Sequence, residues 1–288
     1  VERVRELVAT ADIVVENFRP GTMERLGLGY EDLRQVRPDL IYCSITGFGR
    51  DGGAALPGYD LLVQAVGGLM SVTGATPGEP AKAGVALVDV LTGLHALAGM
   101  LAALHHRDRT GQGQRVDTNL LSALMSSMVN QASGYLGAGV IPGIMGNRHP
   151  SITPYETFET ADRPIALAVG NDKQFAALAD TLGIPEICAD PRFASNPQRV
   201  ANREPLCALL AEAFRTRGAD HWYAELTAAG VPAGPINDLA EAFAYAEQLG
   251  LAPIVAVPGS ATPQVANPLA LSATPVSYRL APPTLGSL

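Results

Sequence analysis

Cysteine is scarce. The 288-residue chain holds three, Cys43, Cys188 and Cys207, with no CxxC spacing among them. Three thiols cannot all pair, so neither a disulfide framework nor a zinc site is expected, and the chain reads as a reduced, cytoplasmic protein. Charge is thin as well: 17% of residues against 47% hydrophobic, the reverse of the balance that keeps a chain disordered. Twenty Lys and Arg face 28 Asp and Glu, a net charge of −8. Without a basic surface the chain is a poor partner for nucleic acid, whose binding rests on phosphate neutralisation. A small anionic ligand needs only a local group of cations. No Walker loop, no GxSxG and no HExxH occurs, and there is neither an internal repeat nor a low-complexity segment. The opening residues Val1-Glu2-Arg3-Val4-Arg5 carry charge where a signal peptide would be apolar, and no initiator Met precedes them, so processing or a longer parent chain is expected.

What is present alternates between helical and strand patterns. Val1, Val4, Leu7 and Val8 share one face of a helix over 1–11. The apolar runs Ile13–Val15 and Leu40–Ile45 read as buried parallel strands. Between them lie a helical piece opened by Pro20-Gly21 and closed by Gly27 and Gly29, and a helix over 31–36. This order argues for a parallel α/β layer. Residues 84–104 are apolar over a length that could cross a bilayer. Asp89 and His95 lie inside the run and no aromatic belt flanks it, so a buried helix from Val90 to about Arg107 is expected instead, with no membrane partner. A strand at 115–117 and a buried helix over 120–135 follow. Gly139, Pro142, Gly143 and Gly146 mark a mobile connector. Beyond it come a hairpin over 154–170 turning at Asp162-Arg163-Pro164, helices near 173–182, 203–215 and 220–229, a break at 231–235, and a Pro-rich tail.

Few side chains suggest chemistry unaided. His105 and His106 are adjacent and point apart on a helix, His95 is expected as a hydrogen-bonded core residue, and His221 as packing beside Trp222, so no metal site is expected. Asp89 is different. It sits between Val85–Val88 and Val90-Leu91, where a carboxylate is costly unless it is paired or caps a helix. Two compatible readings stand. Asp89 is the N-cap of the helix that begins there, or it is an ionised nucleophile whose attack on a carbonyl creates an oxyanion for nearby backbone N–H groups. The stretch Val15–Gly27 follows the first strand at its carboxyl end, where α/β sheets take ligands. There Phe18 could stack on a base and Arg19 and Arg25 could meet phosphates, or the segment is a solvated loop and helix.

Taken together, VENFRPGTMERLGLGYEDL, PDLIYCSITGFG, GYDLLVQAVGGLMSVTG, VALVDVLTGLHALAGMLAALHHRDRTGQGQRVD, GNRHPSITPYETF, AVGNDKQF, DPRFASNPQRVANREPL and AAGVPAGPIND resemble, in order, the family III CoA-transferases. That group also contains the formyl-CoA and carnitine-CoA transferases and the α-methylacyl-CoA racemases. The resemblance implies that Asp89, in its D-x-x-T-G segment, is the catalytic aspartate, that Asn17, Phe18, Arg25 and Arg19 hold the CoA nucleotide, and that Tyr59, Asp60, Asn147 and His149 are substrate-site candidates. Tyr59 stands where the racemases carry a His; a phenol with a pKa of about 10 is a poor base at neutral pH, which argues against racemase. The activity implied is transfer of CoA from an acyl-CoA to a free carboxylic acid through an aspartyl mixed anhydride and an aspartyl-CoA thioester, with no metal or redox cofactor. A racemase of the same family and a non-catalytic CoA-binding protein are the alternatives.

The resemblance also implies an architecture: a Rossmann-like large domain over 1–140, a smaller α+β domain over 150–237, and a return of 238–288 to the large domain. Two such chains would interlock as a homodimer. Family members carry a strand–helix segment before the position of Val1 and a GEHT-like tail beyond Leu288, so a chain of this extent is expected to lack part of the CoA site.

Overall fold

The structure is a computed structural model that describes residues 1–286; Ser287 and Leu288, the end of the expected 238–288 segment, lie outside the described residues. The chain divides into two compact units, Val1–Pro150 and Ser151–Leu288.

The first unit is built on three parallel strands, β1 (Ile13–Glu16), β2 (Ile41–Thr46) and β3 (Arg115–Asn119), with β2 in the centre. Register is set by Ile13 opposite Ile41 and Tyr42 opposite Arg115. β2 is buried along nearly its whole length, because helices cover both faces and both sets of alternating side chains must be largely apolar. Leu40 and Tyr42 face a cluster of Val8, Met23, Leu28 and Leu33, supplied by α1 (Glu2–Val8), α2 (Thr22–Arg25), α3 (Tyr30–Val36) and the turn between the last two. On the other side, Ile45 packs with Val63, Val88, Leu120 and Leu124. These come from α4 (Asp60–Val66), α6 (Leu87–Thr110) and α7 (Leu120–Ser127); α5 (Leu69–Val72) follows α4 closely.

Two helices differ from expectation. α6 begins at Leu87 rather than Val90, and it is not buried all round. Val88, Thr92, Ala96 and Ala103 face inward at helical spacing, whereas Val90, Leu94, Leu97 and Leu101 form an exposed apolar stripe. The helix is long and apolar enough to cross a membrane by composition, yet it alternates an inward and an outward face around the sheet. His95 lies on the exposed side, with Nδ1 2.8 Å from the Leu91 carbonyl oxygen, so it is hydrogen-bonded but not a core residue. The single helix expected over 120–135 is two, α7 and α8 (Val129–Ala138), broken at Val129, whose φ is 40°.

The second unit opens with the expected hairpin. β4 (Tyr155–Phe158) pairs antiparallel with β5 (Ile165–Ala168), and the stretch at 231–235, expected as a break, supplies a third strand, β6 (Ala233–Pro235), along β5. Helices α9 (Asp172–Thr181), α10 (Asn196–Ala201), α11 (Arg203–Phe214) and α12 (Ala219–Ala228), with a 3-10 turn at Pro185–Ala189, enclose a core that includes Phe158, Ile165, Phe193, Phe214 and Trp222. His221 packs edge-on against Trp222 as expected, with centroids 5.2 Å apart. Residues 238–286 group with this unit. α13 (Leu239–Gln248) is tied to it by the Glu241–Arg163 ion pair at 2.7 Å and by the Tyr245 and Tyr223 hydroxyls at 2.6 Å. A short ribbon of β7 (Ile254–Val255) and β8 (Gln264–Val265) follows.

Candidate active site

The carboxyl ends of β1 and β2 open onto a cavity of about 480 Å³. Its walls come from three places. Asn17, Phe18 and Arg19 lead out of β1, Pro57–Tyr59 lead into α4, and Asp89, Thr92 and Gly93 lie on the first turns of α6. The crevice past the carboxyl ends of parallel strands is where such sheets leave room for ligands. Glycine makes the close fit possible: a Cβ on Gly47 would fall 2.4 Å from the Gly58 Cα, so the chain after β2 and the chain before α4 cross with no space for side chains. This crossing brings Tyr59 to the cavity's edge and precedes Asp60, whose carboxylate meets the start of α6.

Phe18 is 56% exposed. Its loop is nevertheless fixed: the Phe18 N–H donates to Glu16 Oε2 at 2.9 Å, and the buried Ser44 hydroxyl donates to Glu16 Oε1 in a short bond. Glu16, which carried no role in the sequence, thus anchors the aromatic platform. Arg19 is the sole cationic side chain lining the cavity and makes no ion pair among the described residues. Arg25 does not line it; its Nη2 donates to Thr22 Oγ1 at 3.0 Å on α2. Asn147 and His149 are not among the lining residues either, although their loop packs nearby in the unit: a Cβ on Gly146 would meet the Ala75 carbonyl oxygen at 2.9 Å. Gly47, Gly49 and Gly52 have GxGxxG spacing after β2, but no helix opens there, so the dinucleotide arrangement is absent.

The Asp89 carboxylate lies on the first turn of α6 and does not cap it; the N-cap is Ala86. The capping carboxylate belongs to Asp60, from α4. Asp60 Oδ1 accepts from the Val88 N–H at 2.8 Å and the Asp89 N–H at 3.3 Å. The Leu87 N–H goes to Val85 and the Val90 N–H to Ala86. The N–H groups of Leu87, Val88, Asp89 and Val90 are therefore all bonded within the chain, so none of these four is open in this structure to an oxyanion formed at Asp89. Asp60 is held in turn: Gln64, one helical turn on and fully buried, donates Nε2 to Asp60 Oδ2 at 2.5 Å and accepts the Ala83 N–H at 2.8 Å. Partial burial, and then the neighbouring Asp60 charge, push the Asp89 carboxyl above the usual carboxylate range. Tyr59 is the N-cap residue of α4 and 68% exposed, with no side-chain capping bond. Among the described residues no group of three or more His, Cys, Asp and Glu could hold a metal ion.

A carboxylate (Asp89), a cation (Arg19) and an exposed aromatic (Phe18) thus line one crevice. The model of the CoA-transferase family III matches residues 1–287. The chain belongs to CoA-transferase family III. It is 44% identical over 288 residues to a succinate–glutarate CoA-transferase of Agrobacterium fabrum, covering 98% of this chain and 72% of that one. Against an acetyl-CoA:oxalate CoA-transferase of Acetobacter aceti it is 41% identical, covering 82% of this chain and 61% of the relative. Among solved structures, a CaiB/BaiF family protein from Brucella suis superposes with a TM-score of 0.89 at 43% identity, over 99% of this chain and 75% of that one. The family III assignment made from the motifs therefore stands.

Proposed function

We propose that the protein transfers CoA from an acyl-CoA to a free carboxylic acid, with Asp89 as the nucleophile. The observation that carries this reading is the placement of a partly desolvated carboxylate, set on a fixed helix turn, in the same cavity wall as Phe18 and Arg19. The Asp89 carboxylate attacks the thioester carbonyl and expels CoA thiolate, giving a mixed anhydride. The thiolate attacks the Asp89 carbonyl, releasing the donor acid and leaving an aspartyl-CoA thioester. The acceptor carboxylate displaces thiolate from Asp89 to form a second anhydride, and thiolate attack on its acyl carbonyl yields the new acyl-CoA and free Asp89. Each step moves an electron pair among carboxylate, carbonyl and thiolate, so the scheme uses no metal or redox cofactor. The matched relatives are named for succinate, glutarate and oxalate, and a dicarboxylic acid is the substrate class we propose here. Succinyl-CoA incubated with a panel of carboxylates, with new thioesters followed by mass, tests the reading; α-carbon deuterium exchange without transfer would instead indicate racemase.

In this scheme Asn17, Phe18 and Arg19 hold the nucleotide end of CoA, with Arg25 behind them and Tyr59, Asn147 and His149 on the acyl side. Arg25→Ala is expected to raise the KM for acyl-CoA several-fold with little change in kcat, since a contact to the nucleotide is alike in ground and transition states. An unchanged CoA affinity would make α2 a solvated helix only.

We further propose that two chains interlock as a homodimer, residues 238–288 returning to the large domain in that assembly, and that the protein works in the cytoplasm, in keeping with its low cysteine content. The exposed stripe Val90, Leu94, Leu97 and Leu101 is apolar surface that a second copy would cover. Sedimentation at nanomolar concentration should show a dimer that does not dissociate, because interlocked chains bury far more than a standard interface of about 1,600 Å². A folded monomer would contradict the assembly.

A further inference from the structure

We propose that Gln64 is a positioning residue for the nucleophile: it holds Asp60 in the orientation in which that carboxylate fixes the first turn of α6, and with it Asp89. The proposal rests on Asp89 acting as the nucleophile. Gln64 is buried completely, and its amide has one orientation compatible with its neighbours. The Ala83 N–H requires an acceptor and the Asp60 carboxylate requires a donor, so Oε1 must face residue 83 and Nε2 must face Asp60. A continuous set of bonds then runs from the end of the 73–86 segment through Gln64 to Asp60, and from Asp60 to the N–H groups of Val88 and Asp89.

The pairing is also chemically selective. With Nε2 donating to Oδ2 and two backbone N–H groups donating to Oδ1, Asp60 is satisfied as an anion on both oxygens. The elements packed on α4 add few other charges. α5 and α7 carry no ionisable side chain, and α6 brings Asp89 and the exposed His95. The preceding segment brings Lys82, whose ammonium donates to the Ala83 carbonyl at 3.0 Å, and the cavity wall brings Tyr59 and Arg19. Asp60 is thus the nearest negative charge to Asp89, and Gln64 is the side-chain donor that keeps it in place.

Two substitutions test this in the purified protein. Gln64→Leu leaves Asp60 Oδ2 and the Ala83 N–H without their partner in a part-buried site. Asp60 then turns away, and the start of α6 loosens. The expected result is a fall in kcat of about tenfold to a hundredfold, with the KM for acyl-CoA unchanged within about twofold. The acid limb of kcat should also move to lower pH, because Asp89 loses its negative neighbour. Gln64→Glu places two carboxyls where one proton must be shared. That variant should track the wild-type kcat at each pH while the shared proton is held and fall below it as the pH rises and that proton leaves. A residue that merely filled space would change the melting temperature and none of these profiles. Folded Gln64→Leu with wild-type kcat and acid limb overturns the proposal; if Gln64→Leu does not fold, Gln64→Glu with a wild-type profile does so. Asp89→Ala, run in the same assay, separates the two levels. Full transfer activity there removes the nucleophile and this proposal together. A dead Asp89→Ala beside unaffected Gln64 variants removes this proposal alone.

Discussion

Asp89→Ala is expected to abolish CoA transfer, lowering kcat by at least about a thousandfold, while leaving the melting temperature close to wild type. The two halves of this result have different origins. The loss is expected because, among the described residues, no other carboxylate lines the cavity to take the role proposed for Asp89. Stability is kept because Asp89 is only partly covered and caps nothing; the first turn of α6 is closed by Asp60 and by backbone carbonyls. Exposed substitutions of this kind usually change stability by no more than about 0.5 kcal/mol. The wild-type pH profile carries the same signature. A nucleophilic carboxylate must be ionised, and burial together with the Asp60 charge raises the pH at which Asp89 ionises. The acid limb of kcat should therefore lie above the ordinary carboxylate range and move down when Asp60 is neutralised as Asp60→Asn.

The largest stability effect is expected in the second unit, at Arg199. This guanidinium is 1% exposed and lies 4.5 Å over the Phe175 ring. It donates to the Thr153 carbonyl at 3.0 Å, the Phe193 carbonyl at 3.0 Å and Asp172 Oδ1 at 2.7 Å. One side chain thereby joins the start of the unit, the turn before α10 and the first turn of α9. Arg199→Met keeps most of the volume but strands buried carbonyls, and should cost about 3–5 kcal/mol. Arg199→Lys should recover little, because a single ammonium cannot reach three acceptors in the plane of the fork. The chain has one tryptophan, Trp222, in the core of this same unit, so its fluorescence reports the transition in denaturant directly. A midpoint within error of wild type would show that Arg199 is not what ties these segments together.

Much of the fold could be read from apolar periodicity. The runs at 13–15 and 40–45 became β1 and β2 because a strand covered on both faces must be apolar at nearly every position. In the second unit α9, α11 and α12 appeared within a residue or two of their expected bounds because their apolar faces close one core, whereas α10 and α13 were not expected. The exceptions have local causes. The 120–135 run has no sequence break strong enough to announce the split at Val129. The stretch at 231–235 looked like punctuation because Pro232 and Pro235 flank it, yet β6 lies along one side of β5 only, where proline is tolerated. α6 looked uniformly buried because Leu, Val and Ala occur on both of its faces, and composition does not say which face is covered.

The site was legible where its residues are close in sequence and obscure where they are not. Asn17, Phe18 and Arg19 follow β1 directly, and strand-end position is enough to put them in the crevice. Asp89 stood out as a carboxylate in an apolar run, but its capping role was assigned to the wrong carboxylate. The true partner, Asp60, is 29 residues away and meets the helix only through the fold. Gln64 left a trace that could have been used: Asp60 and Gln64 stand four apart, the spacing at which helical side chains touch. Glu16 left none, since its bond to Ser44 depends on strand pairing.

The most direct test of the account is to trap the covalent enzyme during turnover. The protein, mixed with succinyl-CoA and quenched with hydroxylamine or borohydride, is digested and its peptides mapped by mass. Modification is expected at Asp89 alone, in amounts that fall when an acceptor acid is added. Transfer that proceeds with Asp89 unmodified, or an adduct on any other carboxylate, would contradict it.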